Sequence, residues 1–197
     1  MKKTVKRVMA LVLAAVLVFA LAGCTPEKKA ERAVNAFLSE IKKVNIEKAL
    51  GYVENAEETK GDLLNETTEL FMEELFSRLD YEITTTEIKD ENTVNVTVKL
   101  TNVDMVPVMK EFAAEAMKYV FANIAADPAP TEEEVTAKMI EILKTCLNKE
   151  DLEMVTLEAT IEVVLVEGEW KISIDGSLVN AMFGGLSDAA SSLGDLF

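Results

Sequence analysis

Three carboxylates and a phenol stand where this chain could carry out acid–base chemistry. Asp80, Tyr81, Asp104 and Asp175 each lie beside or within a segment patterned as a strand, and an acid or base at a cavity wall is what proton transfer to a small substrate requires. The same positions suit plainer work, because acids at element boundaries cap helices and close turns, and Tyr81 fits a core or rim aromatic. The runs Glu57-Glu58, Glu73-Glu74 and Glu132-Glu133-Glu134 could gather a divalent cation, yet no Asp-x-Asp-x-Asp-Gly loop accompanies them. Three glutamates at a helix start are favoured by its dipole. Solvated faces are therefore expected. No histidine occurs among the 197 residues, which removes Ser-His-Asp and Cys-His nucleophile activation, imidazole catalysis and every zinc site that needs His. The residues predict a protein that is not an enzyme and holds no metal and no cofactor.

The thiol with the clearest chemistry is Cys24. Lys2, Lys3, Lys6 and Arg7 precede an apolar run over residues 8–22, which ends in Leu21-Ala22-Gly23-Cys24. That is the order of a signal peptide: a charged n-region, an h-region and small residues before a cleavage point. The run has 15 residues, short of the roughly 20 a bilayer-spanning helix needs. The tetrad resembles the lipobox of bacterial lipoproteins. The resemblance implies that residues 1–23 are removed, that Cys24 is acylated on sulfur with palmitate-type chains and becomes the N-terminus, and that the protein hangs from the extracytoplasmic face of the cell membrane. With Cys24 acylated only Cys146 remains, so no intramolecular disulfide is expected. Cys146 falls on the stripe Val135, Met139, Ile142, Leu143, Cys146 of a predicted helix, the place of a small buried hydrophobe.

Hydrophobic residues make up 49% and charged residues 28% of the chain, the balance of a globular domain. The formal charge is −15; removing residues 1–23 takes away four basic residues and no acid, which leaves 16 basic against 35 acidic residues, or −19. Such a polyanion predicts no nucleic-acid partner and repulsion from anionic lipid headgroups.

These residues need elements to hold them. After a polar tether over residues 24–29, apolar residues at Ala30, Ala33, Val34, Phe37, Leu38 and Ile41 predict a helix with one buried face. Ile46, Ala49, Leu50 and Val53 predict a second, and residues 63–79 a third. The period then changes. Residues 81–88 and the alternating Val94, Val96, Val98, Leu100 predict one β-hairpin, and residues 155–165 and 170–174 around Glu167-Gly168 a second. Between them, residues 104–150 form a helical-hairpin insertion. Its first stripe is Met109, Phe112, Ala113, Ala116, Met117, Val120, Phe121 and Ile124; its second helix opens with the capping box Thr131-x-x-Glu134. The two stripes must pack on each other or on the open side of the sheet, and the hairpin is expected to dock on the sheet, as filler or gate. Trp170 is expected to be buried, and the tail over residues 181–197 to lack regular structure at its end. One domain over residues 30–180 results.

The order helix, helix, helix, hairpin, insertion, hairpin resembles the NTF2-like (cystatin-like) superfamily, an α+β fold whose curved four-stranded antiparallel sheet wraps N-terminal helices into a cone. Thr101-Asn102-Val103-Asp104-Met105, Gly168-Glu169-Trp170-Lys171-Ile172 and Asn180-Ala181-Met182-Phe183-Gly184-Gly185-Leu186 resemble a group of cell-surface lipoproteins from Gram-positive, mostly clostridial, bacteria. The resemblance implies a fold and a location and brings no activity. On the residues, a module binding a small apolar ligand or peptide is expected, its cone lined by Phe71, Met109, Phe112, Met117 and Trp170. An alternative is a scaffold docking an envelope partner through the insertion or through Phe183, Leu186 and Phe197. A second alternative is an NTF2-like isomerase or dehydratase.

Overall fold

Thr25 is the first residue with a structural task. Its side chain accepts a hydrogen bond from the Lys28 amide at 3.4 Å, and Pro26 follows at the first helical position, where its fixed φ suits a helix start. The computed structural model describes residues 25–56 and 66–194. Within it α1 spans Pro26–Lys42. The tether expected over residues 24–29 is thus, from residue 25 onward, the cap and first turn of this helix. The apolar stripe starts only at Ala30, so periodicity did not reveal the turn before it. All six stripe residues of α1 are buried. Helix α2 (Ile46–Leu50) and helix α3 (Glu66–Phe76) follow, the latter burying Met72, Leu75 and Phe76.

Strands β1 (Asp80–Asp90), β2 (Thr93–Val103), β3 (Met154–Val166) and β4 (Glu169–Ser173) form one antiparallel sheet in that order. Val94, Val96, Val98 and Leu100 of β2 oppose Val163, Ile161, Ala159 and Leu157 of β3. This inner face is covered by α1 and by α6 (Gly176–Met182). An extra residue at Thr84 shifts the β1–β2 register, so that Tyr81 and Ile83 before it and Thr86 and Ile88 after it all face the same way. The outer face is polar, with Thr97–Thr160 and Thr101–Thr156 hydroxyl pairs at 3.3 and 2.8 Å. At the β3–β4 turn Glu167 and Gly168 both have positive φ, 52° and 89°, the geometry of the tight turn that matches strand twist. The free edge of β4 is covered by residues 52–54: the Ile172 amide donates to the Tyr52 carbonyl, and the Glu54 amide to the Ile172 carbonyl. The described residues thus form an α+β domain of a four-stranded antiparallel sheet and seven helices.

The insertion is helical as expected, with α4 (Met105–Asn123) and α5 (Glu132–Leu147). The expectation that it lies on the sheet is overturned. Its main contacts are of α4 with α5 and with a C-terminal helix α7 (Leu186–Gly194), and of α5 with α3. Helices α1 and α6 cover the inner sheet face, and the arm meets α7 and α3 instead. Only the base of the arm is buried. Met105 and Val108 are in the core, while Val120, Phe121 and Ile124 are 51%, 71% and 77% exposed. The tail, expected to lack regular structure over its last ten residues, is helical to Gly194. Asp175 caps α6, Gly184 and Gly185 turn the chain at positive φ, and Asn180 receives the Ser187 amide at 2.9 Å to start α7.

Candidate functional site

Four helices each contribute residues three or four apart to one void. Phe37 and Ile41 of α1, Ile46, Ala49 and Leu50 of α2, Met72 and Phe76 of α3, and Val179, Met182 and Phe183 at α6 converge, with Ile174, around a pocket of about 240 Å³. That spacing is what aims side chains from one helix in one direction. Phe183 is fixed by two rings, stacked on Phe71 with centroids 6.2 Å apart and edge-on to Phe76 at 5.1 Å. Among the described residues no charged or hydrogen-bonding side chain lines the pocket. Val179, 37% exposed, belongs to its rim. A void of this kind offers dispersion and desolvation and nothing else; an apolar cavity somewhat smaller than this stays dry and takes up benzene-sized molecules. Its size is a little below the usual range for small-molecule sites, about 300–1,000 Å³.

The cavity differs from the one expected on the sheet. None of Phe71, Met109, Phe112, Met117 and Trp170 lines it, although Phe71 backs it through Phe183. Met109 and Phe112 are half-buried at the base of α4, and Met117 is exposed on the arm. The pocket lies between helices because the sheet face itself is filled.

Trp170, expected in the core, is half-buried. It stands beside Tyr52 in a separate open groove of about 780 Å³ between α1, the end of α2 and β4. Lys29, Arg32, Lys48 and Lys171 line this groove with Glu40 and Glu169. Glu40 is held by Lys43 Nζ at 2.9 Å and Asn45 Nδ2 at 2.8 Å, and these bonds keep its carboxyl below the usual carboxylate range. Glu169 pairs with Lys171 at 2.7 Å and is lowered in the same way.

The acid–base candidates are not brought together in either cavity. Asp104 and Asp175 cap α4 and α6, accepting the amides of Val106 at 2.9 Å and Leu178 at 2.8 Å. Asp80 is exposed, and the Lys42 ammonium at 3.2 Å holds its carboxyl below the usual range. The Tyr81 hydroxyl donates to the Asn35 carbonyl at 3.3 Å. Glu134 closes the capping box with Thr131. Glu73 and Glu74 sit on α3, and Glu57 and Glu58 lie outside the described residues. Among the described residues no three His, Cys, Asp or Glu side chains converge as metal ligands. Cys146 is buried, and burial pushes its thiol above the ordinary value, away from the reactive thiolate. Phe183 and Leu186, named for docking in the alternative scaffold reading, pack against the core. Cys24 and Phe197 lie outside the described residues.

Among the described residues no helix is long and apolar enough to cross a membrane. No family model matches the chain, and no curated protein is significantly similar to it. Among solved structures the chain is similar to a candidate lipoprotein, ycdA of Bacillus subtilis subsp. subtilis str. 168, with 16% identity and a TM-score of 0.39. That match covers 85% of this chain and 46% of the other, so the chain spans about half the length of its neighbour. At that level of likeness neither fold family nor role transfers.

Proposed function

We propose that this chain is a lipid-anchored extracytoplasmic protein of NTF2-like descent that binds an apolar group without chemical turnover. The observation that carries the binding role is the pocket of about 240 Å³, whose lining among the described residues is apolar throughout. A group such as one aromatic ring or a short stretch of acyl chain fits it. The anchor is supported by the n-region, h-region and Leu-Ala-Gly-Cys24. Replacing Cys24 by Ser is expected to release the protein from the membrane fraction or leave the precursor uncut; a variant processed and retained as before overturns the anchor. The NTF2-like reading is supported by N-terminal helices on one face of an antiparallel sheet. A role without catalysis is supported by Asp80, Asp104, Asp175 and Tyr81, which cap, pair or brace.

A homologous series of n-alkanols tests the pocket. Affinity is expected to rise by about 0.8 kcal/mol per methylene until the void is full and then to level. Ala49→Phe, which fills the void from its floor, is expected to abolish the effect while the domain stays folded. A flat series, or one unchanged by Ala49→Phe, overturns the reading.

One observation favours a second reading, a docking role for the arm. Val120, Phe121 and Ile124 leave an apolar face at its far end in water. If that role holds, Phe121→Ser with Ile124→Ser abolishes partner capture and leaves alkanol binding intact.

A further inference from the structure

The charge average of the chain hides a face of opposite sign. Acids outnumber bases 35 to 20 over the whole sequence, yet the groove holding Trp170 is lined by four cations and two acids. Both acids already have ammonium partners, Glu40 in Lys43 and Glu169 in Lys171. Lys29 and Arg32 are exposed on successive turns of α1 and, among the described residues, have no carboxylate within ion-pair distance. The same groove is lined by Tyr52 and Trp170, one polar-tipped aromatic and one half-buried indole. Lys and Arg around Trp and Tyr is the composition of surfaces that rest at a bilayer's headgroup level.

Chain continuity places this face close to the anchor. Helix α1 starts at Pro26, two residues after Cys24, so Lys29 lies within about 12 Å of the acylated residue by extended and helical rise together. The headgroup zone of each leaflet is itself about 5–7 Å thick. A protein hung from Cys24 therefore has the first turns of α1 at the lipid surface.

We propose that the groove of Lys29, Arg32, Tyr52 and Trp170 is the membrane-facing side of this protein and seats the phosphate of an anionic phospholipid headgroup. The inference rests on acylation at Cys24. The guanidinium of Arg32 and the ammonium of Lys29 take the phosphate oxygens, and the two aromatic rings lie at headgroup depth. The attraction of each basic residue to such a surface is lost as salt screens it. Repulsion of the acidic remainder then turns the rest of the domain away from the lipid, so anchor and groove together set one orientation.

Trp170 is the single tryptophan of the chain, so its fluorescence reads the groove alone. The full protein is isolated in its acylated form, with the mass at Cys24 verified, and reconstituted into vesicles of phosphatidylcholine alone or mixed with phosphatidylglycerol. Acrylamide quenching of Trp170 is expected to fall by roughly two-fold in the anionic vesicles and to recover near 1 M salt, where the Debye length is about 3 Å. Lys29→Gln with Arg32→Gln is expected to erase the difference and leave the near-ultraviolet spectrum unchanged. Equal quenching in both vesicles by an acylated protein overturns the groove and leaves the anchor standing. A chain unmodified at Cys24 overturns the anchor and with it the groove's orientation. Protection by soluble glycerol phosphate in neutral vesicles, equal to that by anionic lipid, also overturns the proposal, since the groove is then a site for a free anion.

Discussion

Asn102 is the one polar side chain fully buried among the described residues, and it joins two parts of the chain eighty positions apart: its Nδ2 donates to the Met182 carbonyl at 2.7 Å, and its Oδ1 accepts from the Val103 amide at 2.8 Å. Asn102→Leu leaves a buried carbonyl and a buried amide without partners, and is expected to cost about 1–3 kcal/mol by urea denaturation. Gly184 sits in the same joint. It has φ +56°, and an added Cβ would stand 1.8 Å from the Val103 carbonyl oxygen, whereas Gly168, at φ +89°, has open space. Gly168→Ala is therefore expected to cost only the roughly 1–2 kcal/mol of a left-handed backbone, and Gly184→Ala distinctly more. Glu134 gives the pH dependence. The Thr131 amide and hydroxyl bond its carboxylate and hold it below its ordinary value. A carboxyl lowered on folding stabilises above its unfolded pKa, about 4.3, and that gain is lost as pH falls through the lower folded value. Glu134→Gln is expected to flatten the fall of Tm below that pH; an unchanged acid limb counts against the capping box.

The arm is the element whose surroundings depart furthest from its sequence. Its stripe from Met109 to Ile124 is helical and apolar, but periodicity reports only that one face is apolar and not which neighbour meets it. The structure predicts a gradient in hydrogen exchange, with amides at the base near Val108 protected like the central strands and those near Phe121 close to a fraying end. Phe121→Ser is expected to change stability by no more than about 0.5 kcal/mol; uniform protection along α4, or a large loss at Phe121, means the arm is docked. Elements with two distinct faces were legible: the stripe of α1, the alternation of β2 and β3, the turn at Glu167-Gly168 and the capping box of α5. Helices α6 and α7 were not. Their sequences are short and rich in Gly, Ala and Ser, and what forms them is tertiary, the Asn180–Asp188 and Asn180–Ser187 bonds and the contact of α7 with α4. The pocket was illegible for another reason. Phe37, Met72 and Phe76 are the residues that would also fill a core, so a void among them leaves no trace in composition.

At the scale of the molecule, charge and topology act separately. With −15 on 197 residues, self-repulsion opposes compaction, and raising salt from about 0.01 M, where the Debye length is about 30 Å, to about 1 M is expected to raise Tm. A fall in Tm would mean that the surface pairs, such as Lys89–Glu162 and Lys149–Glu111, outweigh that repulsion. Topology has a further consequence at the root of the arm. Strands β2 and β3 are paired up to Val103 and Met154, and the Asp104 amide still donates to the Glu153 carbonyl at 2.8 Å beyond them. The two ends of the arm therefore leave the domain side by side, as the two ends of an ordinary hairpin turn do. Through a lineage, such a root lets the arm lengthen, shorten or be exchanged for another without shifting the strand register. Sequence drift is expected to run fastest at its far end and slowest around Asn102 and Gly184, so that one conserved joint can carry many different reaches.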